Sequence, residues 1–169
     1  MAHLRSLTNL DVAVNPQFLG LWPEKVGRYM LNFATIELIS YQYLNSLELT
    51  REDFNKNLDK LLSKRIKRIK TLVKQSSKLP QPLKDEIETL WSEVSDLSQW
   101  RNRIAHNAVV FAWKQSNPAK DPADLMGIPD MKQLKKGNVT DAISMDGLNK
   151  LMDATAALAH SLHVAAKKI

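Results

Sequence analysis

The chain has 169 residues, 44% hydrophobic and 25% charged, which is enough for one ordinary domain with its own core and too little for two of enzyme size. Zero cysteine excludes disulfides, thiolate nucleophiles and thiolate-held zinc or iron–sulfur sites, and leaves four histidines as neutral metal ligands. The net charge of +6 is concentrated: from Lys56 to Lys78 nine basic residues face one acid, Asp59, so this stretch carries +8 and the remainder −2.

Such a distribution suits a polyanionic partner, although basic residues on the wet face of an amphipathic helix also occur without a ligand. No run reaches the roughly 18 apolar residues of a membrane span. Met1 to Asn15 shows no apolar block behind Arg5, so a cytoplasmic protein is expected, without a signal or a membrane partner. Low glycine and long stretches rich in Leu, Lys and Glu predict an all-α fold. The reading is a single domain over 1–169: an up-and-down bundle of four or five helices, with an N-terminal arm over 1–22 and an irregular loop over 108–143.

Pro23 opens the first helix, which runs to about Glu48 with Val26, Tyr29, Met30, Phe33, Tyr41, Leu44 and Leu47 at helical spacing. Thr50 and Asp53 form a capping pattern for the second. Its apolar stripe passes through Phe54, Leu58, Leu61, Leu62, Arg65, Ile69, Leu72 and Val73 without a break, and the same helix carries the positive face. Pro80 and Pro82 separate it from a third helix, through Leu83, Ile87, Leu90, Val94 and Leu97 to His106. A β-prone run, Val109 to Trp113, then leads into the loop with its Pro118, Pro122, Gly127, Pro129 and Gly137, where a short extended piece is the most regular structure expected. Ser144 or Asp146 caps a last helix through Leu148, Leu151, Met152, Thr155, Leu158 and Leu162.

The third helix carries the informative segment, Gln99-Trp-Arg-Asn-Arg-Ile-Ala-His-Asn107. At about 100° per residue Arg101 falls in the middle of the stripe of Leu90, Val94 and Leu97, where an unpaired guanidinium is costly. Glu37 stands in the first helix's stripe by the same rotation. The two are therefore expected to meet, either to fix helix register or to hold Arg101 for a ligand. Asn102 and His106, four residues apart, share a face, from which Arg101 is rotated by about 140° relative to His106. His106 near a helix C-terminus lies in a field that favours its protonated form. His160 and His163 are spaced for a shared metal or are exposed histidines of the last turns; Trp91, Trp100 and Trp113 belong to a core, to a subunit contact or to base stacking.

Arg101-Asn102-Arg-Ile-Ala-His106 resembles the signature of the HEPN superfamily (higher eukaryotes and prokaryotes nucleotide-binding): Arg, four to six residues, then His, often with a polar residue after the Arg. From seven Arg, eleven Asn and four His, the form with asparagine arises by chance about 0.01 times in this chain, and the looser form about 0.5 times. The resemblance covers roughly Pro23 to Lys168. It implies a homodimeric helical bundle and, in many members, metal-independent RNA cleavage without a cofactor, typically in toxin–antitoxin or antiphage systems, with a nucleotidyltransferase-type antitoxin as a common partner. Carried onto this chain, His106 is the general acid or base for a ribose 2′-hydroxyl attacking its own 3′-phosphate, Arg101 stabilises the phosphoryl charge, Asn102 orients either, and Glu37 supports Arg101. The product then ends in a 2′,3′-cyclic phosphate. RNA-backbone contacts are expected from Lys60, Lys64, Lys67, Arg68 and Arg103. The alternative within the family is a non-catalytic module that binds nucleotide, RNA or a partner protein.

Overall fold

The structure is a computed structural model that describes residues 20–48, 50–106, 110–112, 125–128 and 141–169. Among these, five helices carry the fold: α1 (Trp22–Leu47), α2 (Arg51–Leu58), α3 (Leu62–Gln75), α4 (Gln81–His106) and α5 (Met145–Ala166). Three short strands, β1 (Val110–Ala112), β2 (Leu125–Ile128) and β3 (Asp141–Ser144), lie between α4 and α5. The architecture is an all-α helical bundle with a small antiparallel sheet. The chain forms two compact units, one of Tyr29–Gln99 with Met152–Ile169, the other of Met1–Arg28 with Trp100–Leu151.

In the first unit the helices alternate in direction. Tyr41 on α1 donates through its hydroxyl to the Leu58 carbonyl at the end of α2, while Glu48, just past α1, accepts from Asn57 one residue earlier. Helix α2 is therefore a short descent, about 12 Å for its eight residues. Lys70 and Lys74 on α3 meet Ser92 and Glu88, so α3 and α4 are antiparallel. Asn32 and Tyr43 donate to the carbonyls of Met152 and Leu162, so α5 runs parallel to α1. The core is built from Phe33, Ile36, Tyr43 and Leu44 of α1, Ile66, Ile69 and Val73 of α3, Ile87, Trp91 and Val94 of α4, and Leu158 and Leu162 of α5. Trp91 thus takes its core alternative, its ring meeting Tyr43 edge to face at 5.2 Å.

The helix ends follow local chemistry. Thr50 accepts from the Asp53 amide at 3.1 Å and donates to its carboxylate at 2.7 Å, closing the expected box at the start of α2. Ser144, not Asp146, caps α5, accepting from the Gly147 amide. The carbonyl of Pro80 receives the amides of Leu83 and Lys84 as α4 begins.

Three expectations are corrected. The second helix is two, α2 and α3, divided at Asp59–Leu61; Asp59 leaves helical geometry and Leu61 is extended. The stripe of α1 is broader than expected: Tyr29, Phe33 and Leu44 are buried as read, Ile36, Ile39 and Tyr43 are buried beside them, and Tyr41 is half-exposed with its ring against the Arg65 guanidinium. The excursion before α5 contains three paired strands in the order β1-β2-β3, with Phe111 opposite Met126 and Met126 opposite Ile143. The β-prone segment anticipated β1; cross-strand pairing from distant segments fixes the others. The arm over 1–19 and the rest of the excursion lie outside the described residues.

Candidate functional site

Helix α4 continues to His106 because nothing in Gln99–His106 breaks it and Ile104, 7% exposed, anchors its last turns. Arg101 is half-buried on the line that buries Leu83, Ile87 and Val94 earlier in the same helix, and Asn102 is exposed beside it. The Arg101 Nη1 donates to Asn102 Oδ1 at 3.1 Å. This bond fixes which way the amide points: its oxygen is committed to the guanidinium, so its NH2 group is the end presented outward. Arg103 holds its guanidinium carbon 5.5 Å from the centroid of the Trp100 ring, a cation–π contact that steadies a second positive charge on this turn. The backbone of His106 closes the helix, one turn beyond Asn102; its side chain lies outside the described residues, as does Trp113.

Chemically, this turn carries a guanidinium beside a carboxamide. Planar guanidinium donors in general match two oxygens of a phosphoryl group or carboxylate at once.

Glu37 and the basic residues of the second predicted helix belong to the other unit. Glu37 lies 3.8 Å from Arg65, whose side chain is 4% exposed. Arg65 stacks over the Tyr41 ring at 4.2 Å, donates to the Tyr41 hydroxyl at 2.6 Å and to the Lys60 carbonyl at 2.9 Å, and approaches the Leu58 carbonyl at 3.5 Å. It thereby satisfies the carbonyls that the α2–α3 break leaves without helical partners. Glu48, with a side chain 2% exposed, receives Arg68 through two parallel bonds of 2.8 and 2.7 Å and a third from Asn57. That bidentate bond holds the Arg68 guanidinium protonated above its ordinary range. Lys60 donates to Asn57 Oδ1 at 2.8 Å. Lys64 and Lys67 stand exposed on α3.

The structure thus brings Arg101 to Asn102, Glu37 to Arg65, Arg68 to Glu48 and Lys60 to Asn57. Arg65 is the residue for which the sequence gives a place but no partner: its position between Leu61 and Ile69 on the apolar stripe marks it for burial, and only the structure shows Tyr41 and Glu37 receiving it. His160 and His163 are both exposed on α5, and among the described residues no group of three His, Asp or Glu side chains is placed to hold a metal ion. Among the same residues no helix is long and apolar enough to cross a membrane. Compared with models of protein families, with curated proteins and with solved structures, the chain matches none.

Proposed function

We propose that the chain is a HEPN-type endoribonuclease, cytoplasmic and homodimeric, that cleaves RNA by internal transesterification. The ribose 2′-oxygen forms a bond to the adjacent phosphorus as the bond from phosphorus to the 5′-oxygen breaks. His106 takes the 2′-hydroxyl proton or returns one to the departing 5′-oxygen, and Arg101 stabilises the negative charge on the phosphoryl oxygens. Because the nucleophile belongs to the substrate, proximity is built in and no metal-bound water is required. DNA, lacking the 2′-hydroxyl, binds without being cut. Glu37 supports Arg101, and a toxin–antitoxin or antiphage setting, with a nucleotidyltransferase-type antitoxin, belongs to the same proposal.

The observation that carries this reading is the hydrogen bond from Arg101 to Asn102, which makes the two residues of the motif one donor group a single turn before His106. Purified protein incubated with RNA in excess chelator tests it, wild type beside His106→Ala, with the new 3′ ends analysed chemically. Cyclic phosphate ends formed only by the wild type support the proposal. Absence of cleavage at any concentration, or cleavage that survives the substitution, removes it and leaves a binding module.

A further inference from the structure

Helix α3 sorts its cations by chemistry. Both arginines are turned to protein groups: Arg65 is buried against Tyr41 and Glu37, and Arg68 is clamped on Glu48. Lys70 is half-buried with its ammonium on Ser92 Oγ at 2.7 Å. The lysines left outside are Lys64, Lys67 and Lys74, followed beyond the helix by Lys78, all exposed. Along α3, Lys64, Lys67, Thr71 and Lys74 step by three or four residues on one line, and Lys78 follows after the helix has ended at Gln75. Lys64 and Lys74 are therefore about 15 Å apart along the axis, with one position every 5 Å or so. Among the described residues Lys64, Lys67 and Lys78 have no carboxylate partner, and the pair of Lys74 with Glu88 has its side chains 62% and 40% exposed, so solvent and salt weaken it. The exposed face of the helix is otherwise Ser63, Thr71 and Gln75, with exposed Leu61 at its start and no acid within α3.

We propose that this lysine row is a track for the phosphate backbone of single-stranded RNA, supplying affinity without chemistry. It rests on the reading of RNA as the ligand given above. Three features favour a nucleic acid over an acidic protein. Protein interfaces are poor in lysine and organised around buried aromatic or arginine anchors, and this face has none. The free charges are all ammonium groups, hydrated point charges that meet a phosphate from any direction, whereas the arginines that would read a carboxylate in two places are already bound to Glu48 and Tyr41. Their regular spacing along a convex helix follows one strand and carries no base-reading group, so binding is indifferent to sequence. The track replaces two of the contacts anticipated from the sequence, Lys60 and Arg68, with Lys74 and Lys78.

The test uses the full chain and a fluorescent, fully 2′-O-methylated RNA oligonucleotide, which is bound but lacks the attacking hydroxyl. Anisotropy titrations over a range of salt give the slope of log K against log salt. With three or four phosphates neutralised, the wild-type slope is about −2 to −3. The triple variant Lys64→Ala, Lys67→Ala, Lys78→Ala flattens it by about 2 and weakens binding on the order of ten- to a hundredfold near 0.1 M salt. A triple of equal charge change at Lys25, Lys150 and Lys167 leaves the slope nearly unchanged. Equal loss in both triples means bulk charge rather than a track and overturns the proposal, as does an unchanged slope in the first triple. Wild type that ignores the oligonucleotide while binding an acidic peptide through the same lysines also overturns it. Cleavage of unmodified RNA is scored separately: binding that needs the lysines without any cleavage keeps the track and removes the nuclease, and cleavage with lysine-independent binding does the reverse.

Discussion

Replacing Arg65 with methionine keeps the volume of the side chain and removes the guanidinium that, with the Tyr41 hydroxyl, closes the division between α2 and α3. Two charge-assisted hydrogen bonds disappear, to the Tyr41 hydroxyl at 2.6 Å and the Lys60 carbonyl at 2.9 Å, together with the stacking on Tyr41. Such bonds contribute about 1.5–3 kcal/mol each. Against this stands the relief of taking a buried cation out of a site where its Nε has no partner and Glu37 is 3.8 Å away and 30% exposed, which returns about 1–3 kcal/mol. The net expectation is a loss of about 2–3 kcal/mol, or roughly 5–10 °C in Tm for a chain of this length. Lysine at this position falls close to methionine, because it keeps the charge but not the fork or the planar face. Urea and thermal unfolding followed by circular dichroism measure both, and a double-mutant cycle with Tyr41→Phe isolates a coupling of about 1–2 kcal/mol. A methionine variant that melts at or above the wild type would refute the reasoning, since the division would then be held by hydrocarbon packing alone.

Other perturbations test the remaining elements. Arg101→Lys keeps the charge but loses the planar donor pair, and is expected to lower kcat for RNA cleavage by about 10²–10³ with little change in Tm; single-turnover kinetics read this directly. Two glycines should respond oppositely to alanine. Gly27, in the exposed part of α1 with nothing within 4 Å of an added Cβ, gains about 0.5–1 kcal/mol, whereas at Gly147 the new carbon would stand 2.9 Å from Cγ1 of buried Ile143, and stability falls despite the better helix propensity. Thr50→Ala removes the box that starts the eight-residue α2 and costs about 1 kcal/mol by urea denaturation. Burial, helped by the charge of Glu86, raises the Tyr43 phenol well above its ordinary value of about 10, so the unfolded chain releases this proton first. Its contribution is fully present below pH 10 and lost as pH rises further, by about 1.4 kcal/mol per unit, and Tyr43→Phe should flatten that alkaline fall in a series of urea titrations.

The helix limits were legible wherever a local signal sets them. Pro23, the box at Thr50, the prolines at 80 and 82 and the cap at Ser144 each act within one turn, and α1, α4 and α5 begin and end within two or three residues of expectation. The break at Asp59–Leu61 left no such mark, because Leu58, Leu61, Leu62 and Arg65 continue a helical period without glycine or proline. What ends α2 is a side chain from α3 and a tyrosine from α1, brought there by tertiary packing. Non-local packing also separates Tyr41 from Tyr43: Tyr41 lies half-exposed against the Arg65 guanidinium, whereas Tyr43 is buried against Trp91 and bonded to the Leu162 carbonyl. At the motif, the spacing of Arg101, Asn102 and His106 was readable as letters, whereas the direction of the Asn102 amide is a matter of hydrogen-bond geometry.

The parallel pairing of α1 with α5 has a consequence for the order of events during synthesis. Tyr43 and Leu162, joined by a hydrogen bond and both fully covered, are separated by 119 positions. A ribosome releases everything from α1 to α4 before the helix that seals Tyr43 exists, so the nascent chain waits with one side of its interior open to solvent. Ring closure over that distance sets the pace of the last step and makes the emerging polypeptide a client for holding factors until α5 docks.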